Sequence, residues 1–240
     1  MRMFDYRNLD LALKRTGDIA FSAVGLILLL PLFAIVAVAI KLDSPGPVFF
    51  RHARAGKGLR KFFMVKFRTM VDNAVRLGPE VTVSNDKRVT RVGRILRKTK
   101  IDELPQLWNV LLGDMSLVGP RPQSYSYIPY YSNDDLSQIL SVRPGVTGPT
   151  QLWLRHEEEL LRAQKDPIDF YTTKLLPLKI ESDKRYVGTR SLAKDIACVA
   201  ATVGAVLKLK PETKEILIDP AYYATSAAAS DSEQQLETAA

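Results

Sequence analysis

The alternation of apolar and polar positions divides the chain into three parts. From Ile19 to Ile40 there is no charged side chain, a run long enough to be a membrane segment. A cleaved leader fits poorly, because the run is long for a leader's apolar core and no small-residue cleavage site follows. Beyond it the pattern becomes mixed. Val48–Phe50 and Phe62–Val65 read as two short strands joined by a long basic loop holding Arg51, Arg54, Lys57, Arg60 and Lys61. Strand alternation places Lys66 and Arg68 on one face and Phe67 on the other. Helical patterns follow at Met70–Leu77, Val92–Lys98, from Asp102 or Glu103 to Leu112, around Asp134–Leu140, Glu157–Gln164, and from Leu192 to Val206. Thr82–Arg88 reads as a polar loop. The tail, 221–240, is rich in Ala, Ser, Gln and Glu and reads as disordered.

These elements predict a mainly helical α+β fold in two parts with a tail: an N-terminal membrane unit over 1–42 and a second domain over 43–210 with amphipathic surface helices. Within the apolar run Pro31 removes a backbone donor and clashes with the carbonyl of Ile27. Basic residues flank the run on both sides, Lys14 and Arg15 before it, Lys41 and Arg51 after it. The tendency of cations to stay on the cytoplasmic side disfavours a simple span. The expectation is a re-entrant hairpin broken at Pro31. Unbroken, the run would be about 33 Å long at about 1.5 Å per residue, enough to cross; a plain single-span anchor is the competing topology.

Composition narrows the partners. The formal charge is +8, so the partners are anions: nucleic acid, acidic lipid or nucleotide. No nucleic-acid recognition motif accompanies the charge. The single cysteine, Cys198, excludes an internal disulfide, and His52 and His156 have no zinc-ligand spacing.

The densest chemistry lies between Asp102 and Pro122. Two adjacent carboxylates, Asp102 and Glu103, precede a helix whose start is limited by Pro105. The stretch closes on Arg121 between two prolines. Carboxylates beside a fixed guanidinium suggest a phosphate site with a metal or nucleophile; a helix cap with a surface arginine is the alternative. Lys66, Arg68, Arg94, Arg97 and Lys98 supply more positive charge than two carboxylates need, and the excess suits a diphosphate.

Taken in order, these segments resemble the bacterial sugar transferase family, the monotopic polyprenyl-phosphate phosphoglycosyl transferases. The resemblance rests on Lys14-Arg15 with Asp18, the proline-bearing apolar run, Asp43-Ser-Pro-Gly-Pro-Val-Phe-Phe50, Lys66-Phe-Arg-Thr-Met70, Asp102-Glu-Leu-Pro-Gln106, Gly113-Asp-Met-Ser116, Gly119-Pro-Arg-Pro122 and Arg143-Pro-Gly-Val-Thr-Gly148. It extends to about Lys208. It implies transfer of a sugar-1-phosphate from a UDP-sugar to undecaprenyl phosphate with release of UMP, the first step of a surface glycan, on the cytoplasmic face of a bacterial inner membrane. It places the nucleophile at Asp102, its partner carboxylate at Glu103, a magnesium ion beside Asp102, and phosphate-binding cations at Lys66, Arg97 and Arg121. Two departures stand out. Leu30 occupies a position that is often Ser in relatives, and the stretch Pro149–His156 differs from the Gln-Val-x-Gly-Arg-like pattern common after the last glycine. The lack of a multi-spanning N-terminal extension implies a minimal catalytic unit. The sugar and the oligomeric state stay open, a homo-oligomer being compatible with the sequence. A non-enzymatic, membrane-anchored anion-binding protein explains the charge and anchor but gives Asp102-Glu103 no task.

Overall fold

A computed structural model describes residues 3–78, 86–155 and 157–206. The N-terminal unit is one helix, α1 (Met3–Asp43), with Pro31 inside it. The expected break is therefore not an interruption of the helix. A proline forfeits one hydrogen bond and costs about 3 kcal/mol in a helix interior, but here the turns on both sides are held by packing. On the C-terminal side Val36 and Ile40 are buried against Phe67 and Leu96, with Phe33 meeting Phe67 edge-on at 5.0 Å. On the N-terminal side three polar residues are fastened to the rest of the chain. Lys14 donates to the carbonyl of Val118 and to Asp195 at 2.5 Å; Arg15 donates to the carbonyls of Val110 and Leu111; Asp18 accepts from the Ser116 hydroxyl and the Leu117 amide. Phe21, Leu28, Leu30, Ile35 and Val38 remain exposed.

The hairpin is longer than its sequence suggests. Strands β1 (Phe49–Ala55) and β2 (Lys61–Phe67) pair antiparallel from Phe49↔Phe67 to Ala55↔Lys61. Arg51, Arg54 and Lys61 thus belong to strands, and the basic loop shrinks to Gly56–Arg60 around a 3-10 turn. Helix α2 is short (Ala74–Leu77), because Met70 instead forms a bridge with Val89. Helix α3 (Arg91–Thr99) begins at Thr90, whose hydroxyl accepts from the Gly93 amide. A 3-10 turn, Ile101–Glu103, leads to α4 (Gln106–Leu112), which starts later than expected. Pro105 is its cap rather than a first-turn residue, so Asp102 and Glu103 sit in the preceding turn.

Strands β3 (Ser116–Val118) and β4 (Gly145–Thr147) form a small parallel pair that the sequence did not reveal. Its backbones approach so closely that a Cβ on Gly119 would lie 2.6 Å from the carbonyl oxygen of Arg143, and one on Gly145 would strike the Gly119 amide. Helix α5 (Asn133–Ile139) matches expectation. Helices α6 (Pro149–Trp153), α7 (Glu157–Arg162) and α8 (Pro167–Phe170) are short. A π turn at Tyr171–Leu175 continues α8 into α9 (Leu176–Thr189), followed by α10 (Leu192–Val206). Helix α9 escaped sequence reading because its buried face carries Lys179, Ser182 and Asp183, which break the apolar period. The largest apolar cluster joins Tyr131, Ile139 and Leu140 to Leu161, Leu175, Leu176 and Ile180. The expected tail, His156 and most of the 82–88 loop lie outside the described residues.

Helix α3 packs so closely that a Cβ on Gly93 would penetrate the carbonyl of Thr69. Gly93→Ala is expected to displace α3 and cost on the order of 2 kcal/mol. Gly188→Ala, where a Cβ meets nothing within 4 Å, is expected to leave thermal unfolding unchanged or slightly later. Equal melting temperatures for the Gly93 variant and the parent would remove this packing argument.

Candidate active site

Two distant segments converge on Glu103. Lys66 comes from the end of β2 and donates to Glu103 Oε1 at 2.9 Å. Arg121 follows β3 and donates to the same oxygen at 3.0 Å, with a longer contact of 3.4 Å to Oε2. The alignment of β2 with α4 is set by Asn109. Its side chain accepts from the Val65 amide at 2.9 Å and donates to the Phe63 carbonyl at 2.8 Å, acting as a strand partner beside Lys66. The position of Arg121 is fixed from both sides. Gly119 donates to the Thr147 carbonyl, Gly145 donates to the Pro120 carbonyl, and Gln123 donates to the Arg121 carbonyl while its own carbonyl accepts from Ala55. The turn bearing the carboxylates is reached through Lys100 in a left-handed conformation, φ 59°, a geometry that costs a non-glycine residue about 1 kcal/mol and often marks a functional site.

The two carboxylates face different surroundings. Burial would raise Glu103, but Arg121 and then Lys66 outweigh it and hold it well below the usual carboxylate range. Glu103 therefore stays ionised and spends its charge on aiming two cations. Asp102 is only 6% exposed, and its Oδ1 has no hydrogen-bond partner. Burial raises its pKa to about 6, opposed by Lys66 and reinforced by the charge of Glu103. Lys66 is pushed below its ordinary value, mainly by burial, against the pull of Glu103. Arg121 is held in its charged form chiefly by Glu103.

The remaining candidates divide. Arg97 lies close enough to act on the charge of Asp102, and its guanidinium pairs with Glu158 of α7 at 3.6 Å. Arg68 is not part of the cluster. β2 ends at Phe67, and the Arg68 side chain turns to the carbonyls of Ser44 and Pro45, where it clasps the loop after α1. Strand alternation failed at this position because the strand had ended. Arg94 and Lys98 are exposed on α3. Pro31 stays within α1, away from these contacts.

Sequence reasoning missed a second polar layer behind Arg121. Glu157 pairs with the buried Lys179 of α9 at 3.1 Å and lends negative potential to Arg121. Asp183, also buried, accepts from the Thr150 hydroxyl at 2.7 Å, and burial raises its pKa to about 7. The only available signal was the set of polar residues interrupting an otherwise apolar helix.

A magnesium ion fits this donor set. Magnesium takes one or two carboxylates and completes its shell with water and phosphate oxygens, and the unpartnered Asp102 Oδ1 offers such a ligand. Among the described residues no group of three or more His, Cys, Asp or Glu side chains could hold a metal by itself, so most ligands would come from substrate and water.

An unpartnered carboxylate oxygen of Asp102 thus lies beside cations oriented by a second carboxylate. The chain belongs to the bacterial sugar transferase family, whose model matches residues 9–209, and it is a transferase enzyme. It is 43% identical over 199 residues to a UDP-glucose:undecaprenyl-phosphate glucose-1-phosphate transferase of Caulobacter vibrioides, a match covering 81% of this chain and 69% of that protein. It is 40% identical over 206 residues to an exopolysaccharide production protein of Rhizobium leguminosarum bv. phaseoli, covering 81% and 95%. A UDP-N-acetylgalactosamine-undecaprenyl-phosphate N-acetylgalactosaminephosphotransferase of Aeromonas hydrophila is 39% identical over 197 residues, with 81% of this chain but 44% of that protein matched.

The raised pKa of Asp102 carries a stability cost with a defined sign. A carboxylate whose folded pKa lies above its unfolded value destabilises the fold above that pKa, and the penalty fades as pH falls from about 6 toward 4. Asp102→Asn, measured without divalent cation, is expected to be more stable than the parent by on the order of 2 kcal/mol at pH 7.5 and equal to it near pH 4. A variant less stable at neutral pH would show that Asp102 supports the fold rather than opposing it.

Proposed function

We propose that this chain transfers a sugar-1-phosphate from a UDP-sugar to undecaprenyl phosphate through a covalent intermediate on Asp102. The observation that carries this reading is the unpartnered, buried Oδ1 of Asp102 beside two cations already oriented by Glu103. The relatives' names supply the donor and acceptor classes. In the first step an Asp102 oxygen attacks the phosphorus that bears the sugar. The bond from that phosphorus to the bridging oxygen breaks, and UMP leaves with the bonding electrons. In the second step an oxygen of undecaprenyl phosphate attacks the same phosphorus and the Asp102 carboxylate is released. Both substrates thus use one site in turn, which suits one donor from water and one acceptor from lipid.

Each residue has a task in this scheme. Arg121 offers a planar fork to phosphate oxygens and Lys66 a point charge. Glu103 keeps both in place and, being ionised, is a positioning group rather than the proton acceptor. Arg97 binds the outer part of the diphosphate after parting from Glu158. Magnesium held at Asp102 would neutralise charge on the diphosphate as it is cleaved.

The geometry of α1 supports a membrane placement. Both ends of its apolar run are fastened to one folded unit: Lys14, Arg15 and Asp18 to α4, β3 and α10, and Asp43 to the Val92 amide of α3. Its outward face is apolar, and α4 exposes Trp108 and Leu112 beside it. A straight span would drag the catalytic unit through the bilayer. We therefore read α1 as entering and leaving by the cytoplasmic face of the inner membrane, bent rather than cut at Pro31, and the enzyme as initiating a surface polysaccharide.

Purified protein with undecaprenyl phosphate, magnesium and a panel of UDP-sugars is expected to release UMP. Quenched without acceptor, it should carry a phosphosugar mass on the peptide containing Asp102, absent in Asp102→Asn. Near-normal turnover of Asp102→Asn would end the covalent mechanism. Arg121→Lys should lose about tenfold or more in kcat/KM despite keeping its charge, since bidentate contact is lost; unchanged kinetics would reduce Arg121 to a source of general positive potential.

Topology is tested separately with single cysteines at Asn8 and Ser44 in a Cys198→Ser background. Both are expected to resist a membrane-impermeant thiol reagent in intact spheroplasts and to react after permeabilisation. Labelling at Asn8 alone in intact cells would establish a spanning helix.

A further inference from the structure

A cavity of about 140 Å³ lies at the root of α1. Lys14, Arg15 and Asp18 form one wall, and Lys57, Arg143 and Arg190 close the others. None of Lys66, Asp102, Glu103 or Arg121 lines it. The carboxylates near it are already committed. Asp18 accepts from Ser116 and Leu117, and Asp195 holds Lys14 at 2.5 Å from behind. Arg15 is spent on the carbonyls at the end of α4. Among the described residues Arg143 uses only Nε, on the Gly113 carbonyl at 2.8 Å, so its terminal nitrogens keep their donors. Lys57 and Arg190 form no ion pair among the described residues. Five cations against two carboxylates leave a strong positive excess in a concave site, which attracts an anion.

The surroundings indicate the chemistry of that anion. The cavity is built on the turn of α1 that immediately precedes the apolar run, and Leu11, 44% exposed, lines it. Arginine and lysine donors at such a level match phosphate oxygens, and an adjoining apolar wall matches the carbons attached to them. We infer that this cavity binds a phosphate group, supplied by the headgroup of an anionic phospholipid at the membrane surface. The inference uses the membrane placement of α1 but not the transfer reaction, and binding can be read without turnover.

The full chain is placed in phosphatidylcholine nanodiscs with increasing phosphatidylglycerol, and the melting temperature is followed. In parallel, lipids retained after mild extraction are identified by native mass spectrometry. The parent is expected to be stabilised saturably and to retain phosphatidylglycerol. Lys57→Ala/Arg190→Ala should weaken that response about thirtyfold, at about fivefold per cation near an anionic surface. Lys98→Ala, an exposed lysine outside the cavity, should not. Neither Lys57 nor Arg190 holds the fold by an ion pair, so the double variant should match the parent in phosphatidylcholine alone; if it does not, Lys57→Ala by itself carries the comparison. A second arm titrates inorganic phosphate in phosphatidylcholine alone. Saturable stabilisation there that needs Lys57 and Arg190, without a response to phosphatidylglycerol, would keep the phosphate site and change its source to the soluble pool. An undiminished lipid response in both variants, or no saturable response to either ligand, overturns the inference.

Discussion

The contact on which the site depends is the double ion pair at Glu103. Lys66 and Arg121 come from elements that are otherwise unrelated in sequence, and one carboxylate oxygen takes both, at 2.9 and 3.0 Å. In a partly buried setting such a triad is costly to desolvate and is weak evidence for stability as such. Its effect here is directional. By occupying the cations' nearest carboxylate partner, Glu103 holds two positive groups in fixed orientation without neutralising the cluster, and it leaves Asp102 with an unpartnered oxygen in a positive field. Two adjacent carboxylates with opposite surroundings thus acquire different work, one ionised and structural, the other poised near pH 6.

The backbone that carries this triad is organised by close approaches rather than by a large core. Asn109 mimics a strand edge for β2, and Gly119 and Gly145 let β3 and β4 meet where any side chain would collide. These contacts explain why the prolines around Arg121 matter less as isolated rigid units than as part of a clamped segment. The polar layer behind it, Glu157 with Lys179 and Asp183 with Thr150, continues the same charge pattern into the domain interior.

Much of this was legible in the sequence, and the exceptions share a cause. The apolar run, the basic helix α3, the hairpin, α5 and α10 follow from periodicity. Asp102, Glu103, Lys66 and Arg121 were found through residue type and order, and the structure brings all four together. Arg68 was misplaced because alternation holds only while the strand continues, and the strand stops one residue earlier. The start of α4 was misjudged because Pro105 is tolerated both as a first-turn residue and as a cap. Helix α9 and the β3–β4 pair were invisible for different reasons: one hides polar residues on its buried face, the other is a long-range pairing of three-residue strands with no local signature. Pro31 shows the limit of a local rule, since tertiary packing on both sides sustains a helix that its sequence alone would interrupt.

The remaining question is why the long apolar helix α1 is built into the folded unit at all, and the hydrogen bonds of Arg15 bear on it. That guanidinium satisfies the Val110 and Leu111 carbonyls at the C-terminal end of α4, at 2.7 and 3.1 Å, where unpaired acceptors and the helix dipole favour a cation. The turn carrying Asp102 and Glu103 leads directly into the other end of that helix. On the same face of α1, Gly25 leaves room for Leu107, with only 3.2 Å between its would-be Cβ and that side chain. The carboxylates are therefore positioned relative to α1 through one seven-residue helix, α4, that leads directly from their turn. Removing α1 would delete part of the fold, because the residues that fasten it also cap α4 and hold β3 and α10.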